Sequence, residues 1–338
     1  MLLLAEFFTW IFAIAILVCW VLPSGTTALP IPRTPPKAKR RCAFKAYRLT
    51  LSTFLVIEVN DIYSEHPYIY VKRVPEANTI LVTDTGCGGA SNDRKVDITS
   101  LREFIETVGV EDNGGRPLNE GGSMRYVVVL THCHYDHIRV EDFARDSPIL
   151  QSSYSPSFVS HANLPEHSLC ADLGIRTPLF KPTLVPHLDP IHSATGAPLG
   201  VRLLHTPGHT PDEIALWDEQ EQMLYVGDTL YEWEPIIFPG AGNIRTWLAS
   251  VDALIAFVMQ SKSPQTALIN SGHRTAVRPA LEVLQTAKSF MMDVLLGKEG
   301  PRNRTRRRGE VYVEYAQDGG RYSLRCPERL VKEARDPV

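Results

Sequence analysis

The segment His132-Cys133-His134-Tyr135-Asp136-His137 constrains this chain more than any other. Three histidines and a carboxylate follow the apolar run at residues 126–130, in a chain that has 11 histidines among 338 residues. Borderline divalent metals take imidazole and carboxylate ligands, so the segment predicts a metal site. The alternative is a run of solvated polar residues on a loop.

The local geometry favours the metal site. Alternate side chains of an extended strand share one face, so His132, His134 and Asp136 are expected to point the same way. His137 reaches the same site only if the chain turns after it. Residues 138–145 have helical spacing, which predicts that turn.

Three more candidate ligands lie downstream, each after a short apolar run and a glycine. They are His209, Asp228 and His273, preceded by Gly208, Gly227 and Gly272. A glycine lets the backbone bend close to a bound ion. Because one loop cannot close a metal site, we expect these side chains to converge on the first segment.

The four motifs in this order resemble the metallo-β-lactamase-fold hydrolases. They are T-H-x-H-x-D-H at 131–137, T-P-G-H-T at 206–210, G-D-T at 227–229 and G-H at 272–273. The resemblance covers about residues 49–296 and implies an α/β fold, the four-layer αββα sandwich. Family members often carry Gly-Gly soon after the first motif, whereas this chain has bulkier, charged residues at 138–142.

The resemblance also implies a pair of divalent ions and their ligands. One ion would be held by His132, His134 and His209, the second by Asp136, His137 and His273, with Asp228 bridging the two. Asp84 would orient a ligand histidine through its ring N–H, although a plain turn residue is an alternative. Zinc is the favoured metal, and iron(II) or manganese suits the same donors.

The chemistry implied is hydrolysis by a hydroxide held between the ions. Asp136 and Asp228 are the catalytic candidates, because Asp136 is suited to moving a proton to the leaving group. A thioester or ester with an apolar acyl group is the expected substrate. Alternatives are a lactonase or other amide or ester hydrolase, an iron-dependent persulfide-type dioxygenase, and a metal-dependent nuclease.

The segment at residues 231–240 is unusually apolar for a loop and follows Asp228. Tyr231, Trp233 and Phe238 are therefore expected to line an apolar substrate pocket, with ordinary loop packing as the alternative. This region is similar to the acyl-CoA thioesterase and glyoxalase II-like branches of the family. The glutathione-binding C-terminal domain of glyoxalase II is not evident.

The chain divides by composition and pattern into a short N-terminal region and one large domain. We expect an N-terminal anchor or signal segment at residues 1–28 and a basic Pro-rich linker at 29–46. A hydrolase domain follows at 47–325, with an insertion or lid at 150–198, and the chain ends in a tail at 326–338. Within the domain, periodicity predicts strands at 49–59, 68–74 and 79–82, a hairpin from 212–217 and 223–227, and helices from Ser100, at 244–260 and at 277–296.

Residues 2–22 contain only Glu6 and Thr9 as polar residues. As a helix they would span ~31 Å, about the thickness of a hydrocarbon core. Basic residues follow this segment and none precedes it, which predicts a membrane anchor with the catalytic domain in the cytosol. The alternative is a signal peptide cleaved near residue 28, giving a secreted or lumenal protein.

The net charge of −3 gives no overall excess of positive charge for binding nucleic acid, so no nucleic-acid partner is expected. The expected partners are a small acyl substrate and a membrane, and the oligomeric state is open.

Overall fold

The computed structural model describes residues 40–307 and 309–336. The predicted N-terminal segment and most of the predicted linker lie outside these residues. None of the helices in the described part of the chain combines the length and hydrophobicity needed to cross a bilayer.

The first half of the described chain forms a seven-stranded sheet. Its strands lie in sequence order: β1 (Phe44–Arg48), β2 (Thr53–Glu58), β3 (Tyr68–Val74), β4 (Thr79–Thr83), β5 (Arg125–Val129), β6 (Ile149–Ser152) and β7 (Thr183–Val185). Pairing is antiparallel from β1 to β4 and parallel from β4 to β7. β5 ends in three consecutive valines, and all its residues after Arg125 are buried, as a central parallel strand requires. The histidine motif follows directly where β5 ends.

The second half forms a six-stranded sheet. Its strands are β8 (Pro190–His192), β9 (Pro198–His205), β10 (Ile214–Asp218), β11 (Met223–Tyr225), β13 (Leu268–Asn270) and β14 (Arg278–Pro279), in the spatial order β14-β13-β11-β10-β9-β8. His209, Asp228 and His273 follow β9, β11 and β13 respectively. Three strand ends of this sheet therefore carry the three downstream candidates.

A third sheet and the helices complete the fold. The four-stranded sheet is built from β12 (Pro235–Ile237), β15 (Asn303–Arg307), β16 (Glu310–Ala316) and β17 (Ser323–Pro327), in the order β12-β17-β16-β15. The helices are α1 (Leu101–Thr107), α2 (Leu164–His167), α3 (Cys170–Leu173), α4 (Ile244–Met259), α5 (Ala280–Leu295) and α6 (Glu328–Arg335).

Buried side chains form layers between these elements. One apolar cluster lies between the two large sheets and takes residues from both, such as Val127 of β5 and Leu216 of β10. A second packs α1 on the outer face of the first sheet, and a third packs α4, α5 and α6 on the second. The arrangement is the α/β sandwich, with helices outside two facing sheets, that the resemblance implied.

Several predicted elements are confirmed with small shifts. β3 has the predicted bounds, β4 ends one residue later than predicted, and β10 and β11 form the predicted hairpin. Ser100 caps α1, since its Oγ accepts the N–H of Glu103 at 3.0 Å. α4 matches its prediction closely, whereas α5 begins at Ala280 because the preceding residues pair with β13 as strand β14.

The turn expected from the helical spacing of residues 138–145 is present, but that spacing does not produce a helix. The segment forms turns, with a single α-type bond from the N–H of Ala144 to the carbonyl of Val140 at 2.8 Å. Asp142 instead accepts hydrogen bonds from Ser100 and from the N–H of Arg102 at the start of α1. These contacts hold the segment against α1 in place of a helical repeat.

The strand expected at 49–59 forms but is shorter than predicted, since β2 covers only Thr53–Glu58. Residues 49–52 form the turn between β1 and β2, because Thr50 Oγ1 accepts the N–H groups of Ser52 and Thr53. β1 itself begins at Phe44, inside the predicted linker.

The segment expected to be a C-terminal tail, residues 326–338, instead contains the end of β17 and helix α6. Leu330 and Val331 of α6 are buried in the core. The predicted insertion at 150–198 supplies strands to both large sheets, so it is part of the sandwich as well as a connection.

Candidate metal centre

The seven predicted ligands form two neighbouring groups. The first is His132, His134 and His209, and the second is Asp136, His137, Asp228 and His273; within each group, one ligand atom per residue lies within 4.8 Å of all the others. All seven side chains are buried, at 6% exposure or less. The first group is called the histidine triad below, and the second the carboxylate cluster.

The histidine triad turns three ring nitrogens towards one point. Nδ1 of His134 lies 3.0 Å from Nε2 of His132 and 3.0 Å from Nε2 of His209. Nitrogen ligands of a tetrahedral zinc ion, with bonds of about 2.0–2.1 Å, are separated by roughly 3.3 Å. The spacing therefore fits three ligands of one metal ion.

The carboxylate cluster places two imidazoles against two carboxylates. Nε2 of His137 lies 3.4 Å from Asp136 Oδ2 and 3.4 Å from Asp228 Oδ1, and Nε2 of His273 lies 3.3 Å from Asp136 Oδ2. His137 Nε2 and Asp228 Oδ1 are buried and have no hydrogen-bond partner among the described residues. Buried polar atoms are normally paired, so these two orphaned atoms fit ligands of a divalent cation.

The two groups differ in charge. Burial lowers the pKa of His134 to about 3 and also lowers the pKa values of His132 and His209, so the triad is neutral at pH 7. Burial alone would lower the pKa of His273 too, but Asp228 and Asp136 outweigh it and raise that pKa to about 9. Neutral imidazoles have a free lone pair for a metal, so the triad is ready to bind one without releasing protons.

Oxygen atoms behind the site fix the outer ring nitrogens. Nδ1 of His137 lies 2.9 Å from Asp84 Oδ2, so the structure places Asp84 where the sequence predicted it. Nδ1 of His209 donates to the carbonyl of Ile237 at 2.6 Å, and Nδ1 of His273 to the carbonyl of Glu65 at 2.9 Å. Each contact sets the tautomer that leaves the other nitrogen free for a cation.

Asp84 also reaches the triad through Thr131. Its carboxylate accepts the N–H of Thr131 and the hydroxyl of Thr131, both at 2.8 Å, and that hydroxyl lies 3.1 Å from Nδ1 of His132. Asp84 thereby supports one histidine of each group.

Glycines give the strand ends the room they need. A Cβ at Gly272 would lie 2.4 Å from Asp228 Oδ1 and 2.8 Å from His137 Cε1. Gly227 has φ +50°, and a Cβ there would lie 2.4 Å from Oε1 of Glu213. The close approach expected from the Gly-ligand pairs is thus present at both positions.

The three predicted substrate contacts lie in different surroundings. Tyr231 is buried, with its ring 5.5 Å from that of His273. Phe238 is fully buried against Trp247, and only Trp233 is exposed, at 61%. The three do not form one open surface, and their contact with substrate stays a prediction.

Two acidic residues beside the site were missed by the sequence analysis. Glu65 contacts His273 through its carbonyl and accepts a hydrogen bond from the Tyr135 hydroxyl through its side chain. Glu213 is fully buried beside Asp228 and His132. The charged pair Asp212-Glu213 at the start of an apolar strand was a signal for Glu213, whereas the sequence carries none for Glu65.

Comparison with known proteins agrees with this fold and site, which define an α/β sandwich with paired metal-binding clusters. Residues 125–258 match the model of the Metallo-beta-lactamase superfamily. The chain is 32% identical over 306 residues to the protein of Aspergillus versicolor named "Putative transcription factor avaE", covering 87% of this chain and 89% of that one. The chain belongs to the metallo-beta-lactamase superfamily.

Two further relatives are more distant. "Probable metallo-hydrolase YqgX" of Bacillus subtilis (strain 168) is 24% identical over 167 residues, which cover 46% of this chain and 72% of that protein. The crystal structure of the metallo-beta-lactamase family protein TTHA1429 from Thermus thermophilus has a TM-score of 0.52 at 18% identity, covering 76% of this chain and 86% of that one. This structural likeness shows the shared fold.

Proposed function

We propose that this protein is a metal-dependent hydrolase whose substrate is a thioester or ester with an apolar acyl group. The observation that carries the proposal is the convergence of seven nitrogen and oxygen donors into two adjacent buried groups, with His137 Nε2 and Asp228 Oδ1 left unpaired among the described residues. The name of the Bacillus subtilis relative, a metallo-hydrolase, supports the same reaction class.

The chain's own residues would hold two divalent cations, of which zinc is favoured. When bound, such a pair supplies a water molecule whose pKa is lowered to about 7 and positive charge for a developing oxyanion. The triad would hold one cation and the carboxylate cluster the other, with Asp228, a member of that cluster, as the proposed bridge. Asp84 and the carbonyls of Ile237 and Glu65 keep the histidine rings oriented.

Asp136 is the candidate for proton transfer to the leaving group. Its Oδ2 lies 3.3 Å from Nε2 of His273. A thiolate leaving group needs this help less than an amine does, because thiols have pKa values near 8.5. A site with one residue for proton transfer to the leaving group therefore favours a thioester over an amide.

The exposed ring of Trp233 supports the proposal that the substrate has an apolar acyl group. Its ring is exposed, and its φ of 68° is a left-handed conformation that bulky aromatic residues rarely adopt. The fold thus holds the apolar ring of Trp233 at the surface. Tyr231, two residues earlier in the chain, packs against the ring of His273. The resemblance to the thioesterase branches suits this arrangement.

A substrate panel tests the proposal. The full chain is assayed on esters and thioesters graded by acyl length, including CoA and glutathione thioesters, with and without a chelator, and its metal content is measured. We expect about two zinc ions per chain and chelator-sensitive thioester hydrolysis. One iron per chain with persulfide oxidation, or cleavage of RNA or DNA without acyl hydrolysis, would overturn the proposal.

The variant Asp228→Ala tests whether Asp228 is a metal ligand. Asp228 Oδ1 lies 3.4 Å from Nε2 of His137 and 3.6 Å from Nε2 of His273. Removing this carboxylate takes away a donor of the carboxylate cluster and the proposed bridge, so we expect loss of bound metal and of nearly all hydrolysis. Glu219→Ala, which removes an exposed carboxylate in the β10–β11 turn, is the control and should retain both. A variant at position 228 with two metal ions and full turnover would show that Asp228 is not a ligand.

We further propose that residues 2–22 anchor the protein in a membrane, with the hydrolase domain in the cytosol. The apolar composition of this segment and the basic residues that follow it support the proposal. Deleting residues 1–30 should release an active protein into the supernatant of a fractionated cell. Continued sedimentation of the active truncated form with membranes would contradict a single anchor. Asn303-Arg304-Thr305 is an N-glycosylation acceptor sequence, so glycosylation of Asn303 in the full chain would indicate a lumenal domain.

A further inference from the structure

Glu213 is a fully buried carboxylate that belongs to neither group of predicted ligands. It lies between His209 and β10, where its carbonyl accepts the N–H of Thr206 at 2.9 Å. Burying a carboxylate is unfavourable unless it is paired or close to positive charge. The contacts of this side chain therefore call for an explanation.

The two carboxylate oxygens of Glu213 face the two groups separately. Oε1 accepts the backbone N–H of Asp228 at 3.0 Å. Oε2 lies 3.4 Å from Nδ1 of His132. One side chain thus contacts the predicted bridging residue through its backbone and a histidine of the triad through its ring.

The backbone around Asp228 is shaped to admit this contact. Gly227 adopts φ +50°, and a Cβ there would lie 2.4 Å from Glu213 Oε1 and 2.7 Å from Thr131 Oγ1. A side chain at 227 would therefore displace either Glu213 or the residue that precedes His132. The glycine, Glu213 and Thr131 fill one tightly packed space behind the site.

Glu213 Oε2 has no hydrogen-bond partner among the described residues. It faces the outer nitrogen of His132, whose other nitrogen points into the triad. A cation on that inner nitrogen would make the Nδ1–H a stronger donor and would place positive charge near the unpaired oxygen. The orphaned oxygen is thus explained by a loaded triad.

We propose that Glu213 is a positioning residue that couples the histidine triad to the carboxylate cluster, holding His132 and Asp228 in register so that both cations bind. The inference rests on the proposed metal binding. Removing the carboxylate is expected to weaken binding of metal by about 10- to 100-fold, as loss of groups that orient metal ligands commonly does.

Two variants separate positioning from simple packing. Glu213→Gln keeps the volume and one oxygen for the Asp228 N–H, but it turns an NH2 group towards the Nδ1–H of His132. Glu213→Ala removes both contacts. Asp212→Asn is the matched control, since Asp212 is also buried but contacts Thr210 and Cys133 instead of a predicted ligand.

The experiment measures metal binding instead of turnover. Metal-free full-length proteins are titrated with Zn²⁺ against a chromophoric chelator and with Co²⁺ by visible absorption, and their unfolding in urea is followed without metal. We expect the wild-type chain to bind two ions and Asp212→Asn to behave in the same way. Glu213→Gln should bind the first ion more weakly and show an altered Co²⁺ spectrum. Glu213→Ala should bind both ions more weakly.

Three results would overturn the inference. Equal affinities in wild type and both Glu213 variants would remove the positioning role alone and leave the proposed function standing. Weaker binding explained fully by unfolding of the metal-free variants would show a packing role. A wild-type protein that binds no metal would end this inference and the proposed function together.

Discussion

Glu58 has a buried carboxyl group that orders the loop after Asp84. Its Oε2 accepts the N–H of Cys87 at 2.7 Å, and its Oε1 accepts the N–H of Gly89 at 2.7 Å. Gly86 lies so close that a Cβ there would be 2.4 Å from Oε2. The loop that presents Asp84 to His137 is therefore folded around a single side chain.

Burial raises the pKa of Glu58 from 4.5 to about 8. Between these pH values the native state keeps a proton that the unfolded chain releases, so the free energy of unfolding should fall as pH rises, by at most about 1.4 kcal/mol per pH unit. Glu58→Gln should flatten this fall, measured by urea unfolding of metal-free protein across that pH range. The exposed Glu76→Gln is the control, and parallel curves for wild type and Glu58→Gln would contradict the prediction.

The predicted metal ligands could be found from sequence because a metal restricts them to few residue types at characteristic spacings. Asp84 was suggested only by the resemblance, which places an aspartate at the end of an early strand. Glu58, Glu65 and Glu213 could not be found so directly, since their partners are largely backbone groups and ring nitrogens of residues distant in sequence. Only the folded arrangement of the strand ends creates those contacts.

Helix α4 supports two of the ligand loops at once. The N–H of Asn243 donates to the carbonyl of Gly208 at 2.7 Å, and Ser250 Oγ donates to the carbonyl of Pro207 at 2.7 Å, so the helix holds the loop that carries His209. The indole N–H of Trp247 donates to the carbonyl of Thr229 at 2.5 Å, directly after Asp228. The position of α4 therefore fixes ligands from both groups.

Trp247→Phe should loosen the Asp228 loop. The substitution keeps an aromatic ring in the core but leaves the buried carbonyl of Thr229 without this donor, which should cost about 1–3 kcal/mol of stability and weaken metal binding. Trp217→Phe is the control, because Trp217 is buried in the same core on β10. Urea unfolding and Zn²⁺ titration measure both effects; equal losses of metal affinity in the two variants would argue against a specific role of the indole N–H.

Elements with strong periodicity were predicted well, and those defined by long-range contacts were not. α4 and β3 carry their own pattern of apolar residues, which is why their bounds were close. Residues 138–145 carry a helical pattern too, but Asp142 bonds to Ser100 at the start of α1 and the segment becomes a series of turns. The helix α6 was missed because it is short and largely charged, with only Leu330 and Val331 buried.

The whole molecule assembles its site from both sheets. The segment from 132 to 137 follows a strand of the first sheet, whereas His209, Asp228 and His273 follow strands of the second. A buried ion pair between Lys72 of β3 and Asp218 of β10 joins the same two sheets. A bound cation would therefore connect the two halves of the sandwich.

Removing metal should lower the thermal stability of the whole domain. A ligand that binds only the native state stabilises it by about 4 kcal/mol at a thousandfold excess over its Kd. We expect the midpoint of thermal unfolding to fall on dialysis against a chelator and to recover when Zn²⁺ is added back, measured by calorimetry. Asp228→Ala should show a much smaller difference between the two conditions, and an unchanged wild-type midpoint would contradict a cation that joins the sheets.

The order of the ligands along the chain sets when each becomes available during synthesis on the ribosome. A nascent polypeptide presents the 132–137 segment early, gains His209 next, and lacks His273 until most of its length has been translated. All three members of the triad are therefore translated before His273 completes the carboxylate cluster. A chain that stops before residue 273 would lack one histidine of the carboxylate cluster and also helices α5 and α6, which pack on the second sheet.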